Sequence, residues 1–324
     1  TIVSNANDSH WLNCTEEVLE GYSPMGGLER TPRSLRTRQN LRRARALIER
    51  GSLTVGDLLG ELWSNASLSA ELLADAVVQR CAGAGEVTVE GHTADLDAAA
   101  RVIAEWDRCF DLGSRGAVLW REFMGSLPES AWLDAGPLFE QPFDAEHPLD
   151  TPFGLAPAPL QAEDPVRHAM GHALRVLDAA GIRPDSPLGE VQWADRNGRR
   201  VPVHGGGECE GMLNVLAPSG ALPPASLEPM PETPVRIPGR EGTGLAEGGY
   251  RVTYGTSFVM AVDLTEDGPR GVGLLAYGQS CDPESVHHAD GTEAYAAKQT
   301  RHLCFTDSQI AADPDLVRFR LSSP

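Results

Sequence analysis

Residues 2–12 read Ile2-Val3-Ser4-Asn5-Ala6-Asn7-Asp8-Ser9-His10-Trp11-Leu12; a glycine-bearing turn follows at residues 21–27, then Arg33-Ser34-Leu35-Arg36-Thr37-Arg38. A short β-branched apolar run that gives way to small polar residues is the pattern of a buried strand stopping at a site. Asn and Asp side chains there can turn the backbone through local hydrogen bonds and still present amide donors outward. Taken alone, Asn-x-Asn-Asp is a turn; its meaning depends on what surrounds it.

Downstream, residues 33–50 read as a helix, with Thr31 as N-cap, Pro32 at the first helical position and Gly51 as the stop. Its apolar stripe runs through Leu35, Leu41, Ala44, Leu47 and Ile48. Apolar spacings of three and four predict further helices over 55–63, 69–81, 93–110 and 115–124. Residues 128–165 are rich in proline and aromatics without periodicity, as a long surface connection is. Asp164-Pro165 opens another helix to Ala180, closed by Gly181.

From Leu188 the pattern changes. Residues 190–195 and 199–204 flank Arg196-Asn197-Gly198, a hairpin signal. A Pro- and Gly-rich loop over 217–249 leads to the strongest strand signals, 250–264 and 271–279, joined at Glu266-Asp267-Gly268-Pro269. A helix over 292–300 and a capping segment over 305–312 complete the pattern. A helical block followed by antiparallel strands is an α+β chain. It divides into an active-site strand and loop (1–30), a mainly helical segment (31–187) and sheet strands with a C-terminal cap (188–324), all parts of one composite domain.

Composition narrows the functions. At 324 residues and 41% apolar, the chain can bury a sizeable core. A net charge of −19 repels nucleic acid and anionic membrane surfaces. The one basic concentration, eight arginines within residues 30–50, reads as a helix with a solvated face. No run of about 18 apolar residues is present to span a membrane. The chain opens at Thr1 with no initiator Met or leader, as a processed or excised chain would. Six cysteines without a Cys-x-x-Cys pair argue against zinc and for at least one disulfide, in an oxidising compartment.

Several clusters have chemistry to weigh. His168 and His172 stand one helical turn apart, as on a zinc-binding helix, but the usual Glu and a third ligand are missing, which favours packed or exposed histidines. His287-His288-Ala289-Asp290 is either an acid–base pair or a hydrogen-bonded corner. His204-Gly205-Gly206-Gly207 offers backbone donors, although three glycines more often mark close backbone approach. There is no Gly-x-Ser-x-Gly elbow. An N-terminal threonine can act as nucleophile with its own amine as base, which brings Thr1 into consideration.

Six stretches, taken in order, carry a resemblance. They are Asn5-Ala6-Asn7-Asp8-Ser9-His10-Trp11, Thr31-Pro32-Arg33-Ser34-Leu35-Arg36-Thr37-Arg38, Trp106-Asp107-Arg108, Val203-His204-Gly205-Gly206, Tyr254-Gly255-Thr256-Ser257-Phe258-Val259-Met260 and Tyr277-Gly278-Gln279-Ser280-Cys281-Asp282-Pro283-Glu284-Ser285-Val286-His287-His288-Ala289-Asp290. Together they resemble the penicillin acylase family, most closely its branch of acyl-homoserine-lactone and aculeacin-type lipopeptide acylases. The resemblance implies part of a four-layer αββα N-terminal-nucleophile hydrolase fold, two stacked antiparallel sheets between helical layers. It implies a precursor cut into α and β chains, with a Ser or Cys at the new β terminus attacking an amide and its own amine as base. In the family the last Asn of Asn-x-Asn donates its side-chain NH2 to the tetrahedral oxyanion; that position is Asn7. Losing such a donor costs about 10² to 10³ in turnover, roughly 3 to 4 kcal/mol. The first Arg of the family's Arg-x-x-Arg helix start, which orients that Asn, corresponds to Arg33, with Arg36 the alternative.

In relatives the nucleophile lies far upstream of the Asn motif, whereas only six residues precede Asn7, so Thr1 stands at the wrong place and the nucleophile lies outside this chain. The chain then corresponds to the C-terminal portion of a β subunit, and its partners are the α subunit and the N-terminal part of β. Cys14 stands where relatives read Asn-Pro, and Gly291 where they read Gln. No Asp follows the Asn motif at the spacing of the family's calcium ligand, so neither metal nor cofactor is expected. The implied function is a secreted amide hydrolase that removes a fatty or aromatic acyl group from a lipopeptide or an N-acyl-homoserine lactone. The alternatives are a β-lactam side-chain acylase and a noncatalytic binding module on the same scaffold.

Overall fold

In a computed structural model of the chain, which describes residues 2–14, 17–127, 138–160, 163–218, 237–238, 240 and 242–321, side-chain caps mark where most of the helices begin. Helix α1 (Leu35–Arg50) starts after Ser34, whose hydroxyl accepts the Thr37 N–H, and stops at Gly51 with φ of 69°. Thr31 and Pro32 therefore precede the helix instead of opening it, because the Asp8 carboxylate accepts the Ser34 N–H at 3.0 Å and fixes the start there. Helix α2 (Val55–Trp63) carries a capping box of Thr54 and Asp57, and α3 (Leu68–Cys81) is capped by Ser67.

The expected helix over 93–110 gives way in its first part to a hairpin. Strands β1 (Glu86–Val89) and β2 (His92–Asp95) pair antiparallel, and Asp95 then caps the shorter α4 (Leu96–Glu105). The β-branched Val87, Thr88, Val89 and Thr93, with left-handed Glu90 and Gly91 (φ 48° and 79°) between the strands, outweigh the helical spacing. Helix α5 is Ala117–Ser126. Within the predicted surface connection, β3 (Phe139–Gln141) pairs with β4 (Phe153–Leu155), while residues 128–137 and 161–162 lie outside the described residues. Helix α6 (Pro165–Ala179) has Asp164 as cap and Pro165 in its first turn, as the sequence predicts.

After the short α7 (Leu188–Val191), β5 (Gln192–Arg196) and β6 (Arg199–Pro202) form the expected hairpin about Asn197-Gly198. Strand β7 (Leu216–Ala217) follows; of the loop expected over 217–249, residues 219–236, 239 and 241 lie outside the described residues. Strand β8 (Tyr250–Val252) joins β5 in parallel, and β9 (Tyr254–Gly255) pairs with β7. The long hairpin of β10 (Phe258–Thr265) and β11 (Gly268–Leu275) turns at Glu266-Asp267. Helix α8 (Asp290–Ala296) is shorter than expected, ending before Lys298, whose φ is a left-handed 55°; Arg301–Leu303 then form β12 against β11, and α9 (Asp307–Ala312) follows. The α+β class holds. The opening run does not form the expected strand: residues 2–5 have no ladder partner among the described residues, and the Ser4 N–H bonds the Asn13 carbonyl at 2.8 Å. The expected disulfide is also missing, since all six cysteines are free thiols, with Cys14 and Cys81 buried.

The main core lies among α3, α4, α5 and α6, and α5 is buried all round, Arg121 and Glu122 included. Both charges are paired, although Arg121 Nη2 has no hydrogen-bond partner among the described residues. Arg121 donates to Glu210 at 2.8 Å and to the Gln192 amide oxygen at 2.8 Å; Glu122 accepts from Tyr250 and from Arg240, both at 2.7 Å. Buried pairs add little net stability, but losing one partner strands a charge, so they fix how helix and strands meet.

A second buried network ties the strands to the helices. His204 donates through Nε2 to the Tyr295 carbonyl at 2.8 Å, which leaves Nδ1 to accept from the Asn65 and Asn214 amides, both at 3.1 Å. Tyr295 in turn donates to Asn214 at 2.7 Å. Burial, the largest influence, pushes the imidazole down to about 4, so it is neutral at pH 7. An unfolded His, at its ordinary 6.5, binds a proton that the folded one refuses, so stability falls with acid between those values. Chemical denaturation should therefore show wild type losing about 3 kcal/mol from pH 6.5 to pH 4 relative to a His204→Gln variant; parallel profiles would refute this.

Candidate active site

The opening segment is shaped by its own side chains. Asn5 Oδ1 accepts the Asn7 N–H at 2.7 Å, and Asn7 takes a left-handed φ of 63°, a conformation Asn tolerates better than most residues. Asp8 anchors the result. Its carboxylate accepts the Ser9 and Ser34 N–H groups at 3.0 Å each, the Thr37 hydroxyl at 3.0 Å and Arg33 Nη1 at 2.8 Å. Burial works against ionisation here, but the Ser34 N–H, Arg33, the Ser9 N–H and Thr37 outweigh it and hold the carboxyl below its ordinary value.

Asn7 lines a groove of about 1530 Å³ between α1 and α2 on one side and the Gly207–Cys209 turn and β9–β10 on the other. Its brace is Arg36 and not Arg33. Arg36 Nη1 donates to Asn7 Oδ1 at 2.8 Å, to the Ala6 carbonyl at 3.3 Å and to Glu208 Oε1 at 3.1 Å. Arg33 instead turns inward, bonding Asp8 and the Thr31 carbonyl with its guanidinium 5.5 Å from the Trp11 ring. A guanidinium has only donors, so the Asn7 atom it touches must be the oxygen. The amide nitrogen is left as the free end, with no partner among the described residues.

Nothing in Gly-Gly-Gly-Glu distinguishes a site carboxylate from a solvated one, so the sequence does not single out Glu208. The glycines before it have the close-approach role: Gly205 has φ of 113°, and a Cβ on Gly207 would lie 2.8 Å from the Glu210 carboxylate. The arginine-rich helix is neutralised by its neighbours, with Arg42 on Glu71, Arg43 near Glu61 and Glu71, and Arg50 on Asp57. His172 has both ring nitrogens engaged, Nε2 accepting from Arg175 at 2.9 Å and Nδ1 donating to Ser126 at 3.1 Å, so neither is open to a metal. No cluster of metal-binding side chains occurs among the described residues. His287 bonds Asp290 at 2.8 Å in an exposed corner that does not line the groove. Thr1 lies outside the described residues.

Replacing Asp8 by Asn should loosen the arm from α1, at a cost of about 1.5–3 kcal/mol for a lost charged hydrogen-bond partner. Because the folded carboxyl lies below its ordinary 3.8, that contribution is complete above this value and disappears as pH falls through the lower folded one. Denaturation of both proteins should show a gap at pH 7 that closes in strong acid. A gap that persists there, or none at pH 7, would contradict the anchoring role.

Comparison with known proteins agrees with the ordered motifs. The family model described as penicillin amidase matches residues 1–312. Aculeacin-A acylase of Actinoplanes utahensis is 35% identical over 333 residues, covering 99% of this chain and 37% of that protein. Acyl-homoserine lactone acylase PvdQ of Pseudomonas savastanoi pv. phaseolicola is 30% identical over 315 residues, covering 96% of this chain and 36% of that protein. The chain thus spans little more than a third of the length of these curated relatives. A solved structure, a thermostable penicillin G acylase from Alcaligenes faecalis, aligns over 88% of this chain and 52% of that one, at 15% identity and a TM-score of 0.39. Because the family match runs over nearly the whole chain, this protein belongs to the penicillin amidase family.

Proposed function

We propose that this chain supplies the oxyanion-stabilising arm of a secreted amide hydrolase whose nucleophile, an N-terminal Ser or Cys, lies on polypeptide outside residues 1–324. The observation that carries the reading is the 2.8 Å bond from Arg36 to Asn7 Oδ1, which leaves the amide nitrogen as a donor at the groove. In the reaction, the nucleophile adds to the acyl carbonyl carbon and the carbonyl oxygen takes up the negative charge. Asn7 Nδ2 donates to that oxyanion. A neutral amide suits the task because it strengthens its bond as charge develops and carries no charge of its own to bind the nucleophile beforehand. Collapse breaks the C–N bond, the amine leaves with the proton held by the terminal ammonium, and water hydrolyses the acyl-enzyme. No step here calls for a metal or a cofactor.

The substrate class follows from relatives named for aculeacin A and for acyl-homoserine lactones, so the acyl group we assign is a fatty one on a lipopeptide or lactone amine. The partners we assign are the α subunit and the N-terminal part of β. Ile48, Leu53, Leu58, Phe258 and Met260 stand exposed along the groove, apolar surface of the kind a partner chain covers. No helix among the described residues is long and apolar enough to cross a membrane. In the assembled enzyme, Asn7→Ala should lower kcat about 10² to 10³-fold on a long-chain acyl amide with little change in KM. Unaltered turnover would remove Asn7 from the mechanism, and mass analysis finding no companion chain beginning with Ser or Cys would favour a binding module.

A further inference from the structure

We infer that Glu208 is a positioning residue for this reaction, acting through Arg36 to hold the Asn7 amide with its nitrogen free toward the reacting carbonyl. The inference rests on the reading of Asn7 given above. Arg36 Nη1 carries two hydrogens and faces three acceptors: Asn7 Oδ1 at 2.8 Å, the Ala6 carbonyl at 3.3 Å and Glu208 Oε1 at 3.1 Å. The first two belong to the arm that Arg36 is meant to orient. Glu208 alone comes from elsewhere, so it is the fixed reference against which the guanidinium is aligned.

That reference is built on the core. Glu208 sits in a turn whose shape is set by the buried Glu210: its carboxylate accepts from Arg121 at 2.8 Å and from the Gly207 N–H, and its carbonyl accepts from the Ser67 hydroxyl at 2.8 Å. The Gly211 N–H closes the turn on the Glu208 carbonyl at 2.9 Å. The path from α5 through Glu210, Glu208 and Arg36 to Asn7 thus runs from the buried core to the irregular arm. With 58% of its side chain exposed, Glu208 adds little to stability through this ion pair. Its effect falls on orientation, and a long Arg side chain released at one end regains rotamer freedom that the amide then shares.

In the assembled enzyme, Glu208→Ala should lower kcat about tenfold, less than loss of the donor itself, with KM and melting temperature nearly unchanged. Glu208→Gln, which keeps an acceptor oxygen at the same reach, should recover most of that loss. In an Arg36→Met background, Glu208→Ala should cost less than about twofold more, because the group it acts through is gone. Wild-type kcat in Glu208→Ala, or a tenfold loss that persists undiminished in Arg36→Met, would overturn the inference. Asn7→Ala run alongside separates the two levels: if it is active, the reading of the site fails, and if it is crippled while Glu208→Ala is not, only the role of Glu208 fails.

Discussion

One carboxylate holds the candidate site together. Asp8 takes four donors, two backbone N–H groups, the Thr37 hydroxyl and Arg33, and three of them come from the start of α1. An anion is favoured there by the helix dipole and by the unpaired N–H groups of the first turn. The arm has no strand ladder of its own, so this anchor sets its register. Ser34 becomes the cap, Arg36 falls in the first turn, and the residue it meets is Asn7, immediately before Asp8. A shift of one residue in either segment would bring Arg36 to another partner.

Away from the groove, buried hydrogen-bonded polar groups likewise shape the scaffold. The Arg121–Glu210 pair places the Gly207–Glu210 turn, and the neutral His204, read by the Asn65 and Asn214 amides, joins that region to α8. Each is a network in which members specify one another's geometry, and a half-satisfied version would be worse than an apolar core. The result is a groove with two unlike walls. One is helical, with the irregular arm held to it by side chains, and the other is the Gly207–Cys209 turn with β9–β10.

Local chemistry explains what could be read in advance. Asp164-Pro165, Gly51, Gly181 and Asn197-Gly198 act through backbone preferences of their own, and the structure has helix ends and a turn at each of them. Over 93–110, helical spacing in Leu96–Glu105 overshadows the short β-branched run before it, so the sequence does not show the hairpin. The opening run forms no strand because two apolar β-branched residues cannot make a ladder without a partner strand, and sequence periodicity says nothing about partners. The motif singles out Asn7 and the two arginines as candidates, but which arginine touches Asn7 depends on the register that Asp8 sets. Glu208, 172 residues from Arg36 in sequence, has no local signature at all; only the fold brings it to Arg36.

The central claim is that the Asn7 amide is locked with its oxygen on Arg36 and its nitrogen toward the reacting centre. The most direct measurement is a crystal structure of the assembled enzyme with a tetrahedral-intermediate analogue, such as an alkyl boronate, on the nucleophile. The account predicts Asn7 Nδ2 about 2.7–3.1 Å from the analogue's oxyanion oxygen, with Arg36 still on Oδ1 and Glu208 on Arg36. An analogue whose oxyanion is bound by Arg36 itself, with Asn7 turned away, would contradict it.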